Sequence, residues 1–523
     1  MIKKITLIVL AFLLSIFIAK AQTFTWGDSE ETDYEMNPAM VKSINVSSPD
    51  GSVWFVSMKE KVLSYQNMMG DCFLIHYSAD GERQAEYIIS GALIVNAAIV
   101  DDEGNLIISG DYFNQGIEFW EGSSLTGEEN QLDGFIAEIS PEGSVNWLKN
   151  IEEFTGEYNS VEALKYFDNK VYLSISTWAA TYISTIDEDL NYNTIISQDD
   201  VSVASDIDID SQSNIYVTGS CAGISSTFNG VEYPAPFSYT KYLVKYNSDY
   251  EVQWVEYVED VTCVFPNIKI DNEDNIYWAG ELFNESIFDT ITLNGPGWVN
   301  DFYIVKYNPE GHALWARELE ETTSGDAQLA TLDALVVMPD NSIVFACRSR
   351  GTIDWGNDVV TENDIMEYRI VILNINGEGV AQWAKSGGND SYSTANTISA
   401  NQEGDVYVSG LANETMFFDD VEISNETFYY PYIVDLETEI VTNINSEESN
   451  NEVIISPNPA TNYINIDISS NKIKSVGVYA LNGQKIIENS ANQLDIQKLN
   501  SGIYLVRIIT KEGDIISKKL IKQ

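Results

Sequence analysis

Residues Asn214–Gly219 read N-I-Y-V-T-G, and this short strand decides the fold because the chain repeats it. Three close copies read N-I-Y-W-A-G, D-V-Y-V-S-G and N-L-I-I-S-G, and they lie at Asn275–Gly280, Asp405–Gly410 and Asn105–Gly110. Three looser copies begin at Ser52, Lys170 and Ser342. A turn that contains Gly, Asp or Asn precedes each of these copies, which is the pattern expected of strands joined by tight hairpins.

A second repeated segment follows each of these strands. It consists of a strand, a turn and a strand that ends in Trp, and clear copies are Asp133–Trp147, Tyr242–Trp254, Asp301–Trp315 and Tyr368–Trp383. Asp71–Tyr87 carries Tyr in place of Trp, and the third copy, Tyr182–Ile195, is degenerate. Four short strands at this spacing, without any helical pattern, predict an all-β fold, a seven-bladed β-propeller. Six or eight blades remain compatible with the pattern.

The seventh repeat predicts how the ring closes. Its segment, Asp405–Ile440, stops before the strand that ends in Trp. A segment of the missing kind, T-F-T-W-G-D, lies near the start of the chain at Thr23–Asp28. We therefore expect Phe24–Gly27 to pair with the sheet of the last repeat, which would leave the ring without a free edge. The propeller is predicted to span residues 22–442.

The last seventy or so residues carry a different pattern. Alternating apolar runs, separated by turn residues, predict a small antiparallel β-sandwich over residues 453–523. Four segments stand out there: a P-N-P turn, an N-G-Q hairpin, an L-x-x-G-x-Y strand and a Lys-rich final strand. Their characteristic residues are Pro457, Asn458, Pro459, Asn482, Gly483, Gln484, Leu499, Gly502, Tyr504, Lys518 and Lys519.

In order and content these segments resemble the type A C-terminal sorting domain of the Bacteroidetes type IX secretion system. The resemblance implies an Ig-like sandwich, export to the cell surface or the medium, and handling by the type IX machinery. It also implies that a sortase-like peptidase cuts near the junction of the two domains. The repeats resemble the bacterial β-propeller repeats with the signature D-x-x-G-N-x-Y-V-T-G, over roughly residues 40–440; that resemblance implies a fold and no activity.

The amino terminus agrees with export. Lys3 and Lys4 precede an apolar run, and Ala19-Lys20-Ala21 is a small-x-small cleavage site, so residues 1–21 are predicted to be a signal peptide. No later segment is apolar enough to span a bilayer, so we do not expect a transmembrane protein. Residues 443–452 are polar and are predicted to be a linker.

The charge of the chain excludes one class of partner. It carries 80 acidic and 28 basic residues and a net charge of −52, although residues 453–523 hold nine basic and only five acidic side chains. Such an acidic surface repels phosphate backbones, so nucleic-acid binding is excluded. The acidity is typical of a soluble extracellular protein.

Few residues suggest chemistry. The two histidines, His76 and His312, belong to no catalytic motif, so no catalytic residue is assigned. Asp206, Asp208 and Asp210 alternate along a strand and are a candidate calcium site, although their spacing does not match a calcium-binding loop. No other cofactor is expected. Of the four cysteines, Cys221 and Cys263 are the one pair to consider for a disulfide.

Two aromatic residues fall outside the repeats. Trp178 and Trp298 are candidates for ligand binding, and the loop around Trp298 is Gly-Pro-Gly-Trp. The function predicted from the sequence is a surface-displayed or released propeller that binds an unknown extracellular glycan or protein. The alternative is a secreted glycan-active hydrolase or lyase, which needs only a pair of carboxyl groups that the sequence does not single out.

Overall fold

The computed structural model describes residues 22–32, 41–65, 67–127, 131–151, 159–178, 180–259, 265–295, 301–320, 323–438, 453–468, 473–479, 485–489, 492–499, 502–510 and 515–522. The chain divides into two compact units, Met1–Ile440 and Val441–Gln523. Regular secondary structure in the described residues is entirely β-strand, and no helix there could cross a membrane. The predicted signal peptide, the linker, Trp298, Cys263 and Asn482–Gln484 lie outside the described residues.

The first unit is a β-propeller, an all-β ring of four-stranded antiparallel groups. Its first eleven strands are β1 (Thr23–Ser29), β2 (Ser43–Ser47), β3 (Val53–Tyr65), β4 (Asn67–Tyr77), β5 (Arg83–Val100), β6 (Leu106–Glu118), β7 (Ser124–Leu125), β8 (Leu132–Ile139), β9 (Val145–Ile151), β10 (Ser160–Phe167) and β11 (Lys170–Ser176). The next eleven are β12 (Ala180–Asp187), β13 (Tyr192–Asp199), β14 (Val203–Ile209), β15 (Ile215–Ala222), β16 (Ser225–Phe228), β17 (Val231–Pro234), β18 (Tyr239–Tyr246), β19 (Val252–Glu259), β20 (Asn267–Ile270), β21 (Ile276–Leu282) and β22 (Ser286–Phe288).

The remaining strands of this unit are β23 (Ile291–Leu293), β24 (Asp301–Tyr307), β25 (Ala313–Arg317), β26 (Ser324–Leu329), β27 (Leu335–Val337), β28 (Ile343–Asp354), β29 (Val360–Glu362), β30 (Arg369–Ile375), β31 (Ala381–Gly387), β32 (Ser393–Ala400), β33 (Val406–Ala412), β34 (Met416–Phe418), β35 (Val421–Ile423) and β36 (Tyr430–Glu437). Short strands such as β16, β17, β22 and β23 form small hairpins in the longer connections.

Strand pairing divides the propeller into seven groups, which we call blades 1–7. Strand β5 serves two of them, because its first part pairs with β4 and its last part pairs with β6. From the inside outwards the blades are β2-β3-β4-β5, β5-β6-β8-β9, β10-β11-β12-β13, β14-β15-β18-β19, β20-β21-β24-β25, β26/β27-β28-β30-β31 and β32-β33-β36-β1. The grouping supports the predicted count of seven, which remains a prediction.

The first strand belongs to the last blade. Strand β1 pairs antiparallel with β36, with Phe24 opposite Leu436 and Gly27 opposite Val434. This is the pairing that the sequence predicts for residues 24–27. Residues from the inner strands or their edges in all seven blades line one central cavity of about 230 Å³, as a ring requires. A parallel bridge joins Asp333, between β26 and β27 of blade 6, to Thr397 of β32 in blade 7.

In blades 2, 4 and 7, the glycine that ends the repeated strand is required for steric reasons. The register between β14 and β15 shifts between Ala204 and Asp206, which brings two backbones unusually close together. A Cβ atom at Gly219 would lie 1.9 Å from the carbonyl oxygen of Val203, and the glycines that end the corresponding strands of blades 2 and 7 have the same contact. The repeat therefore needs glycine there for close approach, without any need for a positive φ angle.

The aromatic residue at the outer strand of a blade contacts the next blade. Trp254 and Trp315 donate their indole N–H to the carbonyls of Pro309 and Gly377, at 3.3 and 3.0 Å. Trp26 does the same across the closure of the ring, to the carbonyl of Ala79 at 3.2 Å. These side chains are only half-buried, so they join neighbouring blades rather than fill the interior of one blade.

The second unit is a small two-sheet β-sandwich. Its strands are β37 (Val453–Ser456), β38 (Tyr463–Ile468), β39 (Ile473–Tyr479), β40 (Lys485–Asn489), β41 (Gln493–Asp495), β42 (Gly502–Thr510) and β43 (Ile515–Lys522). One sheet has the order β37-β38-β41 and the other β40-β39-β42-β43. Alternate residues of both sheets form the apolar core, among them Ile464, Val476, Val506 and Leu520.

Candidate functional site

The two ends of the propeller ring are built differently. Because the four strands of a blade are antiparallel, the connections between strands one and two and between strands three and four lie at one end, which we call the turn face. The connection between strands two and three, and the link to the next blade, lie at the other end, which we call the loop face. The turns are short, whereas the loops hold the extra hairpins such as β16–β17 and β34–β35.

On the turn face, side chains of several turns accept hydrogen bonds from backbone N–H groups of the same turn. Asp210 accepts hydrogen bonds from the backbone N–H groups of Gln212 and Asn214, at 2.9 Å each, and from the side-chain amide of Asn214 at 2.7 Å. Asp101, Asp271 and Asn401 hold equivalent turns in blades 2, 5 and 7. The Asp and Asn residues of the repeat signature thus satisfy turn backbone groups.

Large apolar side chains are exposed mainly on the loop face. They lie in the loops of blades 3, 4, 6 and 7 and in the link between blades 4 and 5, and they are Trp178, Ile224, Phe237, Tyr239, Phe265, Ile365, Met366 and Phe428. Trp178 is 70% exposed and Met366 82% exposed. On the turns of the opposite face, the large apolar side chains exposed among the described residues are Leu190 and Val380, both under 40% exposed, and Leu314, close to that face in β25, is 51% exposed. The extra hairpins and short strands expose Val231, Ile287, Val360 and Phe417. Exposed apolar surface of this kind marks interaction sites.

The central cavity is polar, with four carboxylates and two lysines among its lining residues. Lys165 lies 2.5 Å from Asp208, and Lys269 lies 2.9 Å from Asp333 and 3.2 Å from Asp206. Burial raises the pKa of Asp333 to about 6, and the positive charge of Lys269 opposes that rise. The rest of the lining is aliphatic, hydroxyl-bearing or amide-bearing, apart from the carboxylate of Glu162, and no aromatic ring lines the cavity among the described residues. Three of the four carboxylates in the lining thus lie within ion-pair distance of a lysine of the same cavity, and the fourth, Glu162, lies 3.9 Å from Lys42.

The structure separates the three aspartates of the candidate calcium site. Asp206 and Asp208 line the cavity, where each accepts a backbone N–H of blade 5, from Ile268 and Ile270 at 2.9 Å. Asp210 lies beyond the end of β14 and closes its turn. Among the described residues, no group of three or more metal-ligating side chains is suited to hold an ion. The carboxylates join two blades and one turn instead.

The histidines occupy structural positions. His76 is buried, stacks on Trp54 at 4.2 Å between ring centroids, and lies 2.8 Å from the hydroxyl of Ser52. That hydroxyl donates to Asp50, so serine stands between the aspartate and the histidine. In a catalytic triad the histidine stands between the other two residues. His312 is exposed and lies 3.5 Å from Asp289.

Three of the cysteines are buried thiols. Cys72, Cys221 and Cys347 are unbonded to one another, and Cys221 lies 2.7 Å from the hydroxyl of Thr240. Burial raises the pKa of Cys72 to about 12, which makes it unreactive at neutral pH. The predicted pairing of Cys221 with Cys263 remains untested because Cys263 lies outside the described residues.

Sequence reasoning missed an arginine cluster on the loop face. Arg348 and Arg350 lie two residues apart on β28, so they project from the same side of the sheet. Both guanidinium groups lie over the ring of Tyr368, at 4.5 and 5.0 Å from its centroid. The signal was present in the sequence, because arginine is rare in this acidic chain and three arginines fall between positions 348 and 369.

The motif residues of the C-terminal unit have defined places. Pro457, Asn458 and Pro459 form the turn between β37 and β38, and Leu499 is buried. Gly502 and Tyr504 lie in β42, where Tyr504 is buried, and Lys518 and Lys519 lie in β43 opposite Val506 and Leu505. Lys518 is exposed.

Comparison with protein families identifies this unit. Residues 454–523 match the model of the secretion system C-terminal sorting domain. The chain ends in a type IX sorting domain. The protein is therefore exported, to the cell surface or beyond it. The comparison with curated proteins found no match.

Solved structures similar to the chain include propellers at low sequence identity. The streptogramin B lyase structure is 12% identical, with 80% of this chain and 100% of that chain covered and a TM-score of 0.39. The Dos1 propeller is 8% identical, with 79% and 95% covered and a TM-score of 0.42. An ulvan lyase of polysaccharide lyase family PL25 is 11% identical, with 75% and 93% covered and a TM-score of 0.40.

Proposed function

We propose that this protein is a binding module, displayed on the cell surface or released from it, for an extracellular glycan or protein. The ligand contacts the loop face of the propeller. The observation that carries the proposal is the difference between the two ends of the ring. Exposed large apolar side chains gather on the loops, including the candidate residue Trp178, while the opposite turns are short and internally hydrogen-bonded.

The domain limits form part of this proposal. A signal peptide over residues 1–21 is removed, the propeller spans 22–442, and the linker 443–452 is where a sortase-like peptidase cuts. Residues 453–523, with their P-N-P turn and lysine-bearing last strand, engage the secretion machinery. The division of the chain into compact units between residues 440 and 441 supports these limits.

No specific observation favours a hydrolase or a lyase as the function. In the cavity, Asp206, Asp208 and Asp333 each lie within ion-pair distance of a lysine. Burial and the neighbouring Glu162 raise the pKa of Asp111 to about 7, but its carboxylate is occupied by Asn96, Ser160 and the backbone of Val161. We therefore propose binding as the function.

The experiment compares two sets of substitutions on glycan and protein arrays. One variant of the full chain carries Trp178→Ser, Ile224→Ser, Met366→Ser and Phe428→Ser on the loop face. The matched control carries Leu190→Ser and Val380→Ser on the turn face. We expect the wild type and the control to bind the same ligand and the loop-face variant to lose it, with similar melting temperatures for all three. An absence of binding by the wild type to either array would overturn the proposal.

A further inference from the structure

One arginine of the propeller stands apart from the others. Residues 22–452 contain five arginines, at positions 83, 317, 348, 350 and 369, against 75 acidic residues. Four of them lie within ion-pair distance of a carboxylate: Arg83 with Asp28 and Glu30, Arg317 with Glu320, Arg350 with Asp326, and Arg369 with Glu367 and Asp390. Arg348 has no such partner among the described residues. An unpaired arginine is unexpected where acids outnumber bases so strongly.

The surroundings of Arg348 hold its side chain in place and leave its terminal nitrogens available. Its Nε donates to the side-chain oxygen of Gln328 at 2.8 Å, on the neighbouring strand β26. Tyr368 packs against the guanidinium at 4.5 Å from its centroid. No described residue accepts a hydrogen bond from the two terminal nitrogens. A guanidinium held by its Nε and by a ring presents the remaining N–H groups as a fork, which matches the two oxygens of a carboxylate or sulfate.

Aromatic side chains of blade 7 continue this surface. Tyr392 directly precedes β32, which packs against β28, the strand of Arg348. Burial raises the pKa of Tyr392, and the positive charge of Arg348 opposes that rise. Tyr392 meets Tyr429 edge-on at 5.6 Å, and Tyr429 meets the exposed Phe428 at 4.7 Å. The guanidinium thus lies at one end of a row of rings between blades 6 and 7, on the loop face.

Resting on the binding function proposed above, we propose that Arg348 recognises the carboxylate or sulfate group of an acidic saccharide. The rings of Tyr392, Tyr429 and Phe428 supply the apolar surface on which sugar rings pack, and Arg348 supplies the charge. A free inorganic anion would use the guanidinium alone and leave the row of rings without a role. The neighbouring carboxylates of Asp326 and Asp390 are already paired with Arg350 and Arg369, so they do not cancel the charge of Arg348.

The experiment measures saccharide binding to the full chain by isothermal titration calorimetry in 0.15 M salt. The probes are an oligogalacturonate for the carboxylate, a sulfated oligosaccharide for the sulfate, and an uncharged cello-oligosaccharide of equal length. The variants are Arg348→Gln, Tyr368→Leu and, as the matched control, Lys385→Gln. Lys385 lies on the same blade and is paired with Asp419. Its replacement by Gln removes one positive charge, as the replacement of Arg348 does.

We expect one acidic probe to bind wild type and the control alike, and Arg348→Gln to weaken binding at least about tenfold, because a charge-assisted pair is lost. Tyr368→Leu weakens saccharide binding less, because Arg348 keeps its charge and loses only the ring that packs against its guanidinium. Equal binding by Arg348→Gln and wild type, or binding of the uncharged probe alone, overturns this inference and leaves the binding function standing. If no saccharide binds, the inference fails, and the arrays described above decide the binding function separately.

Discussion

The turn face and the loop face of the propeller lie at opposite ends of the same strands, and they differ in the bonding and exposure of their side chains. On the turn face, the side chain of Asp210 and its equivalents bind the turn backbone, and outer-strand tryptophans such as Trp254 reach the turns of the next blade. On the loop face, large side chains such as Met366 and Phe428 are exposed to solvent. The repeated residues therefore hold the ring together, and the unrepeated residues are exposed where the proposed ligand would bind. The predictions below test this division.

The largest effect is expected at the glycine of the repeated strand. Gly219→Ala would place a Cβ atom 1.9 Å from the carbonyl oxygen of Val203, so two backbones must move apart. We expect a loss of about 3 kcal/mol in the free energy of unfolding, measured by urea denaturation. The control is Gly377→Ala, where the nearest atom is 3.6 Å away and φ is ordinary; it should change stability by less than about 0.5 kcal/mol. Equal losses would contradict the steric explanation.

A second substitution tests the closure of the ring. Gly81 and Gly122 have nearly the same φ, +80° and +84°, so alanine strains the backbone equally at both. At Gly81 the new Cβ would also lie 2.4 Å from the ring of Trp26, whereas at Gly122 no atom lies within 4 Å. We expect Gly81→Ala to lower the free energy of unfolding by about 2 kcal/mol more than Gly122→Ala. Equal melting temperatures would mean that Trp26 does not help to close the ring.

A third prediction concerns pH at the loop end of blade 5. Burial raises the pKa of Asp301 to about 7, although the carboxylate accepts N–H groups of Phe302 and Leu319. The folded state thus keeps a proton that the unfolded state releases near pH 4, and the stability that this proton provides falls as the pH rises from about 4 through 7. Asp301→Asn accepts the same hydrogen bonds without a charge.

We therefore expect Asp301→Asn to gain about 2 kcal/mol in the free energy of unfolding, relative to wild type, between pH 5 and pH 9. Asp364→Asn is the control, since Asp364 is exposed on the same face. The measurement is urea denaturation at both pH values. A difference between variant and wild type that does not change with pH would show that the carboxyl group does not titrate in this range.

The smallest effect is expected on the loop face itself. Trp178→Ser removes a side chain that is 70% exposed and should change the free energy of unfolding by less than about 0.5 kcal/mol. The matched substitution Trp278→Ser empties a buried position, whose indole donates to Thr218 at 2.9 Å, and should cost several times more. Comparable losses at the two tryptophans would show that Trp178 is part of the structural core, and the division between the faces would fail.

Much of the fold could be predicted because the repeats are short and local. The turn residues, the glycine of each strand and the incomplete last repeat were all visible, and the pairing of β1 with β36 follows the prediction from residues 24–27. The candidate calcium site stays a prediction, and the structure separates its three residues. Alternation along a strand placed Asp206, Asp208 and Asp210 on one side, but the strand ends at Ile209 and the first two carboxylates bind the neighbouring blade.

The sequence by itself determined the repeat unit, the export signal at the end of the chain and the segment that completes the last blade, because each is visible as a short local pattern of residues. Only the tertiary structure decided which charges have partners. Arg348 lies among residues from strands and loops of two blades, and its lack of a carboxylate among the described residues depends on how those distant segments pack. Whether two charges pair depends on the distance between them in the folded protein, and that distance cannot be read from the order of residues.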